Sequence, residues 1–541
     1  MKGLTNTRQT FRKWTSGVLA AAMLTGACLA GASSVIAQGD GSAAAEFDEN
    51  NIVLSFSTIS DTHIQGGTSS LSASKFKKAM AQLGKRDQDA IIINGDITDY
   101  GTTAQITDLR DLLDYSSGKG QIDLTETKLL LNMGNHELFD AEIYQGDQGG
   151  GIPTQAEAKP HYHGATTYKN ILGDRMYTDE ATAEQIELGY NHTVINGYHV
   201  ILFSLFDYNH GLRFEEKELE WLKADLAAAQ AEDPNKPIFF AMHAMIEGTT
   251  LGSNYGNYWA TNSKELYDTL AQYPQLITFG SHLHYPLQDE RSIYQGDFTS
   301  VETASVYFAS LEAKATNPKT GEIMQFQNLS GPNPDDRFEV SQGVYVEVDA
   351  NNNTRITRLD FANKGTIKEP GIIPAPSDPD HLNRYSEEVR EVGNTAPTFA
   401  EGDTVVRDEF NLDEDPLKNF LSITYSTADD NDLVRSYEIS FIEKESGKLI
   451  NKLYQYSDFY RCTTPDQMAE TRTLKVNRRA LYPMKPDYPF DYYVEVRAID
   501  SYGLKSEPIV SDVIPGDPEG LVETPESSLD PQNQWQYKAF T

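Results

Sequence analysis

Cysteine is almost missing from this chain, whose 541 residues include only Cys28 and Cys462. Cys28 falls within a stretch that has the features of a removable leader. One thiol is then left, and a single thiol closes no disulfide within a chain. Cys462 reads as a small, partly buried side chain rather than a catalytic thiol. Basic residues are scarce as well, with 45 Lys and Arg against 80 Asp and Glu and a formal net charge of -35. Such a surface favours solubility and repels polyanions, so no dedicated nucleic-acid binding is expected. Tandem repeats, a Gly-rich phosphate loop of the NTPase kind and a Ser nucleophile motif are absent too. Those absences remove two common routes of catalysis.

The ends of the chain carry signals of their own. Lys2, Arg8, Arg12 and Lys13 precede a small and apolar run from Val18 to Ala32, and Val35-Ile36-Ala37 offers a small-residue cleavage site before Gln38. That is the pattern of an export signal over residues 1–37, followed by a disordered lead over 38–50. An uncleaved anchor uses the same features, but the run is short for a spanning helix. A lipid attached at Cys28 is disfavoured because Thr25 stands where such a box wants Leu. The expectation is a secreted or extracellular protein with no transmembrane helix in the mature chain.

Alternating strand-like runs and helical windows fill residues 51–368, with helices expected over Lys75 to Leu83, Thr103 to Tyr115, Glu215 to Ala231 and Ser263 to Tyr273. Glu216-Leu219-Trp221-Leu222-Leu226 has helix-spaced apolar positions among charges and should cover a sheet face. Residues 140–190 lose this period, and His161 and His163 there are either substrate contacts or solvated loop histidines. Asp207-Tyr208-Asn209-His210 is similarly open between a cleft border and an ordinary loop. A Pro-rich linker occupies 369–394. From 395 to 515 short strands such as Leu421 to Tyr425, Tyr437 to Phe441 and Tyr492 to Ala498 alternate with turn signals, as in an all-β sandwich. The segment Tyr493 to Ser506 resembles the last strands of a fibronectin type III or immunoglobulin-like module, a match that covers one hairpin. Residues 516–541 form an acidic tail expected to be disordered. Aromatics including Tyr454, Tyr456, Phe459 and Tyr460 read as core packing ahead of a carbohydrate platform.

Against these ordinary features stands one recurring pairing. Five apolar runs end directly in a residue that can bind a metal ion: Ile52 to Ile59 before Asp61-Thr62-His63, Ala90 to Ile93 before Gly95-Asp96-Ile97-Thr98-Asp99, Lys128 to Leu131 before Gly134-Asn135-His136-Glu137, Ile238 to Met242 before His243, and Leu276 to Phe279 before Gly280-Ser281-His282-Leu283-His284. Such runs read as buried strands of an α/β sheet whose carboxyl ends collect ligands at one edge. A hard or borderline divalent ion takes carboxylate, amide oxygen and imidazole, and a neighbouring second ion needs one ligand able to bridge. Each residue alone is weak; a lone His or Asp after a strand is more often a capped loop residue.

In this order, Asp-x-His, Gly-Asp-x-x-Asp, Gly-Asn-His-Glu, His and Gly-x-His-x-His resemble the motifs of the calcineurin-like metallophosphoesterase superfamily, over roughly residues 51 to 360. The resemblance implies an α/β fold class, a four-layer α/β/β/α sandwich, here followed by the all-β immunoglobulin-like sandwich. It implies two divalent metal ions (Mn, Zn or Fe), with Asp61, His63 and His284 on the first, Asp96 bridging, and Asn135, His243 and His282 on the second. By the same resemblance His136 is the catalytic residue, unligated beside the substrate, and Asp99 orients a ligand. Glu137 is left between a supporting role and a helix N-terminal carboxylate. Two departures stand out. Asp99, followed by Tyr100, occupies the region where purple acid phosphatases place a metal-binding tyrosine, so a colourless pair is expected rather than Fe(III). Ser281 precedes the first histidine of the His-x-His pair, whose spacing survives.

The implied activity is hydrolysis of phosphate mono- or diesters by a hydroxide shared between the cations and aimed in line at phosphorus, with His136 at the leaving oxygen. The acidic surface does not forbid a phosphate-ester substrate, because bound divalent ions reverse the local field. Sequence leaves monoester and diester open. The alternative of another class is a noncatalytic cell-surface binding or adhesion protein on the same fold, with surface association through the C-terminal module. A vestigial site of that kind is expected to have lost ligands, and this one lacks none. Since every proposed ligand precedes the linker, residues before Thr395 are expected to fold and act alone.

Overall fold

The structure, a computed structural model, describes residues 47–138, 170–172, 190–204, 216–254, 263–326, 335–411, 420–464, 467–477 and 491–514. The leader, His161, His163, Asp207 to His210 and the acidic tail lie outside the described residues. In chain order the first part comprises β1 (Ile52–Ile59), α1 (Leu71–Leu83), β2 (Ala90–Asn94), α2 (Thr103–Gly118), β3 (Lys128–Asn132), β4 (Tyr190–Ile195), β5 (Tyr198–Phe203), α3 (Glu216–Glu232), β6 (Ile238–Met242), α4 (Ser263–Leu270), β7 (Leu276–Gly280), β8 (Ile293–Gln295), β9 (Thr299–Glu302), β10 (Lys314–Thr316), β11 (Ile323–Gln325), β12 (Gln342–Asp349), β13 (Thr354–Asp360), β14 (Gly365–Thr366) and β15 (Gly371–Ile373).

Two larger sheets organise these strands, with β10 and β11 paired apart from both. One runs β14-β13-β12-β1-β2-β3 with β15 on β13, and the other β4-β5-β6-β7-β9-β8. Strands β1, β2 and β3 pair in parallel, as do β5, β6, β7 and β9. Parallel strands are covered on both faces, which is why β2 and β6 are buried along their whole length and read as unbroken apolar runs. Alternation within a strand divides the side chains. Ile91, Ile93, Leu129 and Leu131 join Phe76, Leu83, Leu109 and Leu113 of the first two helices in one core. Their neighbours Phe56, Ile92 and Leu130 meet Val200, Leu202, Phe239 and Phe279 of the other sheet in a second core. Phe240 and Met242 turn to Leu222, Leu226 and Leu270 of α3 and α4 in a third. Phe56 stands edge-on to Phe239 with ring centroids 4.9 Å apart, and truncating such a ring to Ala costs about 3–5 kcal/mol.

Helix α1 starts at Leu71, ahead of the expected window, because the Ser70 hydroxyl accepts a hydrogen bond from the Ala73 amide and caps the first turn. Thr102 caps α2 in the same way through Gln105.

Beyond the first part lie α5 (Glu387–Val392), β16 (Val405–Asn411), β17 (Phe420–Ser426), β18 (Val434–Glu443), β19 (Leu449–Tyr456), β20 (Thr471–Asn477), β21 (Tyr492–Asp500) and β22 (Ile509–Val510). This region is mostly β, in antiparallel sheets ordered β16-β17-β20 and β19-β18-β21-β22. Its own core gathers Ile423, Tyr425, Tyr437, Phe441, Val494 and Val496.

The Pro-rich connector is packed down rather than free. Gly371 to Ile373 pairs with β13, and the Tyr385 hydroxyl accepts the Ile372 amide hydrogen bond at 2.8 Å. A fifth core spans both parts of the chain, combining Leu311, Met324, Phe326 and Val340 with Tyr454, Tyr456, Phe459 and Tyr460. Those last four aromatics are buried, so none forms an exposed platform. The expectation that residues before Thr395 act alone therefore meets a physical objection: their removal partner fills a shared core. Cys462 is buried, and burial pushes its thiol up to about 11. Among the described residues no helix is long and apolar enough to cross a membrane.

Candidate metal centre at the strand ends

The parallel strands of both sheets end side by side. Asn94 and Asn132, the last residues of β2 and β3, fasten the two sheets together there. The Asn94 amide donates to the carbonyls of Met242 and Phe279, and the Asn132 amide to those of Phe203 and Ala241. Asn132 also donates to the Asn94 side-chain oxygen at 2.9 Å. These two residues were missed by sequence reasoning, although a polar residue closing an apolar run was visible at both places.

Just past these ends the backbone is unusual. Asp61, His63, Asp96, His282 and His284 have φ of 50, 42, 45, 69 and 57°. Left-handed backbone at non-glycine residues costs energy and clusters at functional sites. Close approach also requires two glycines. A Cβ on Gly95 would lie 2.6 Å from the His243 ring, and one on Gly134 would lie 2.2 Å from Asp96 Oδ1.

The structure brings together six of the seven metal-ligand candidates and His136, the residue next to the seventh, Asn135. Asp61, His63, Asp96 and His284 have donor atoms within 4.8 Å of one another, as do Asp96, His243 and His282, and also His63, Asp99 and His136. His284 Nε2 is 2.8 Å from Asp61 Oδ1, and His63 Nε2 is 3.3 Å from His284 Nε2. His243 Nε2 lies 3.0 Å from Asp96 Oδ2 and 3.3 Å from His282 Nδ1. Asn135 is buried, and its Oδ1 has no hydrogen-bond partner. Asp61 Oδ1 has none apart from the facing histidine nitrogens.

Hydrogen bonds behind the ligands fix their tautomers. His243 Nδ1 is 2.8 Å from the Asn94 carbonyl, so Nδ1 carries the hydrogen and Nε2 presents a lone pair to the Asp96 carboxylate. His63 Nδ1 lies 3.0 Å from Asp99 Oδ1, which likewise turns Nε2 inward. Two acceptors face each other at 3.0 Å only if a cation or proton lies between them. The donor set thus fits divalent metal ions: carboxylate and imidazole ligands aimed together, and an orphaned amide oxygen on Asn135, next in the chain to His136.

The electrostatics express the same demand. Burial alone would raise Asp61, but His284 and His243 bring it down to about 2. Burial opposes charge on His243 too, yet Asp96 and Asp61 push it up to about 10. In the metal-free protein a proton occupies the place that a cation would take. Burial and the cationic His243 push His282 the other way, down to about 3.

His136 is set apart from the cluster. Its Nδ1 lies 2.7 Å from the Asp99 carbonyl, its Nε2 is 3.8 Å from Asp96 Oδ2, and its side chain is 28% exposed, against 0% for His243. Glu137 is buried and accepts hydrogen bonds from the Thr98 amide and hydroxyl and the Gly134 amide. It therefore braces the Gly-Asp and Gly-Asn-His loops against each other. Tyr100 is 46% exposed and points to no role here. Ser281 meets Ser60 Oγ at 2.6 Å and His243 Nδ1 at 3.2 Å, under the turn.

Residues 55–286 match the family model for calcineurin-like phosphoesterase. The chain contains a calcineurin-like metallophosphoesterase domain. No curated protein matches the chain. Among solved structures it is similar to a dimetal phosphatase from Danio rerio, at 10% identity over 60% of this chain and 99% of that one, with a TM-score of 0.37. A purple acid phosphatase from yellow lupin (Lupinus luteus) seeds aligns at 14% identity over 59% of this chain and 53% of that one, with a TM-score of 0.39. A 5'-nucleotidase precursor from Thermus thermophilus aligns at 12% identity over 72% and 76%, with a TM-score of 0.27. TM-scores this low carry no argument about function. The matched residues carry a buried Asp/His cluster compatible with divalent metals.

Proposed function

We propose that this protein is an exported, dinuclear metal-dependent phosphoesterase acting on phosphate mono- or diesters. The observation that carries the reading is the His243 to Asp96 contact, where a tautomer fixed by the Asn94 carbonyl leaves a lone pair facing a carboxylate. Asp61, His63 and His284 would hold one ion and Asn135, His243 and His282 the other, with Asp96 available to both. When bound, the ions supply charge that offsets the phosphoryl oxygens and lower the pKa of water.

The chain's own residues do the remainder. Asp99 holds His63 in its inward tautomer and, through its carbonyl, fixes the His136 ring. With Nδ1 so engaged, protonated His136 presents Nε2–H to the leaving oxygen of an ester lying on the cluster. The three cores support an α/β/β/α layering, and the two C-terminal sheets an immunoglobulin-like module. An intact donor set argues against a vestigial site in an adhesion protein.

The test combines elemental analysis of folded protein with hydrolysis of phenyl and alkyl phosphate mono- and diesters. Two divalent ions per chain and metal-dependent hydrolysis are expected. His136→Ala should keep its metal while slowing turnover by about 100-fold or more, with a larger loss for an alkyl alcohol than for nitrophenolate. One ion or none in folded protein contradicts the dinuclear reading.

A further inference from the structure

Resting on the phosphoesterase reading, we infer that the C-terminal β region completes the substrate site by positioning a wall for the ester's organic portion through Tyr460 and Arg461. The wall consists of Tyr307, Phe308 and Phe338, whose ring centroids lie 5.3–5.5 Å from one another. It borders the metal cluster directly. The Phe308 ring is 4.3 Å from that of His284 and 5.8 Å from that of His63, and Tyr307 is 6.0 Å from His63. All three rings are half-buried.

Arg337 lies over this wall, its guanidinium 4.6 Å from the Phe338 ring and 5.8 Å from that of Phe308. Its Nε is buried without a hydrogen-bond partner, and no carboxylate lies within ion-pair distance of it among the described residues. An arginine beside the cluster with no carboxylate partner among the described residues can present its planar guanidinium to the ester's alcohol portion. Flat rings and an arginine together suit a phosphate ester whose alcohol portion is aromatic.

What holds the wall comes from two directions. Beneath it, the buried ammonium of Lys75 donates to the carbonyls of Tyr307 and Val340 at 2.6 and 2.7 Å, joining the two segments that carry the rings. Outside it, the short helical turn Asp335–Glu339 that bears Arg337 and Phe338 is fastened to the C-terminal region. The Tyr460 hydroxyl donates to Asp336 Oδ1 at 2.6 Å, and Arg461 pairs with Asp336 at 3.0 Å and Glu339 at 3.1 Å. Tyr460 belongs to the shared core, so this anchor is rigid on its far side. Tyr460 and Arg461 touch no reacting atom; they are positioning residues.

The experiment uses the full-length, metal-loaded protein with phenyl phosphate and ethyl phosphate, and titration calorimetry with phenylphosphonate, which is not hydrolysed. Tyr460→Phe combined with Arg461→Gln should raise KM for phenyl phosphate about fivefold or more, with kcat and metal content nearly unchanged, and leave ethyl phosphate unaffected. Arg337→Met and Phe338→Ala, which alter the wall without touching the anchor, should show the same split and weaken phenylphosphonate binding to match. Equal losses on both esters, or no change on either, in folded variants overturn the inference alone. No hydrolysis of any ester by the loaded wild type overturns the phosphoesterase reading, and unaltered phenylphosphonate binding in the wall variants overturns the wall independently of it.

Discussion

His243 Nε2 faces Asp96 Oδ2 across 3.0 Å while its other ring nitrogen is committed to the Asn94 carbonyl. Two lone pairs held this close in a buried site store a demand for positive charge. Loading with a divalent ion should displace the proton that otherwise sits there and raise the unfolding temperature, since a ligand at 100 times its Kd stabilises by about 2.7 kcal/mol. Asp96→Asn should abolish most of that gain, because Asp96 lies in both the Asp61 and the His243 groups. Thermal unfolding with and without Mn or Zn measures it. A full metal-dependent gain in Asp96→Asn would rule out a bridging role.

Gly134→Ala tests the close approach of the loops. Its Cβ would stand 2.2 Å from Asp96 Oδ1 and 2.3 Å from the Asp96 amide nitrogen, and backbone cannot swing aside as a flexible side chain can. The Gly-Asn-His and Gly-Asp loops must separate, which pulls Asn135 and Asp96 out of register. We expect metal content below half of wild type and a loss of about 1–3 kcal/mol in stability. Wild-type metal content in this variant would show that the loops tolerate separation.

The strands were readable because parallel strands buried on both faces write themselves as apolar runs, and Asp61, Asp96, His136, His243 and His282 follow those runs directly. The two-sheet arrangement was not readable from periodicity. Asn94 and Asn132 bond to strands far away in sequence, and nothing local tells a capping asparagine from one that bridges sheets. The aromatic wall was missed for a similar reason. Tyr307 and Phe308 follow β9 with no polar ligand to mark them, and they become part of the site only because the Val306 and Tyr307 amides bond to the Ser60 and Asp61 carbonyls. Clustered prolines read as a semi-rigid linker, and nothing local shows that the Gly371 to Ile373 backbone pairs with β13.

Acid should act on the seam between the two parts through Asp289. Burial would raise this carboxyl, but Arg291 and Arg435, one from each part, bring it down to about 2. A carboxylate depressed in the folded state contributes stability that is fully present above its unfolded pKa of ~3.9 and is lost as pH falls through the folded value. The window is therefore pH ~4 to 2, and the contribution about 2–3 kcal/mol. Asp289→Asn should be less stable than wild type at pH 7 and should lose less further stability over that window. Parallel pH–stability curves would sink this assignment.

Deleting residues from Thr395 onward gives the sharpest test of how the two parts depend on each other. Ligand positions alone favour an active fragment, since Asp61 through His284 all lie upstream. Packing favours the opposite. The deletion would uncover Leu311, Met324, Phe326 and Val340, which share a core with Tyr454, Tyr456, Phe459 and Tyr460. Phe326 would lose the Tyr456 ring stacked on it at 3.8 Å. The deletion would also strip Arg435 from Asp289 and Glu312, and Asp432 from Lys368, leaving buried charges short of partners. Breaking one buried pair commonly costs about 3–5 kcal/mol, and whole-domain stability is only about 5–15 kcal/mol. The fragment should therefore be recovered mostly as aggregate, or should unfold at a clearly lower temperature with weakened metal retention. A soluble fragment with wild-type unfolding temperature and wild-type turnover of phenyl phosphate would show that the shared core contributes little, and that the catalytic part stands on its own.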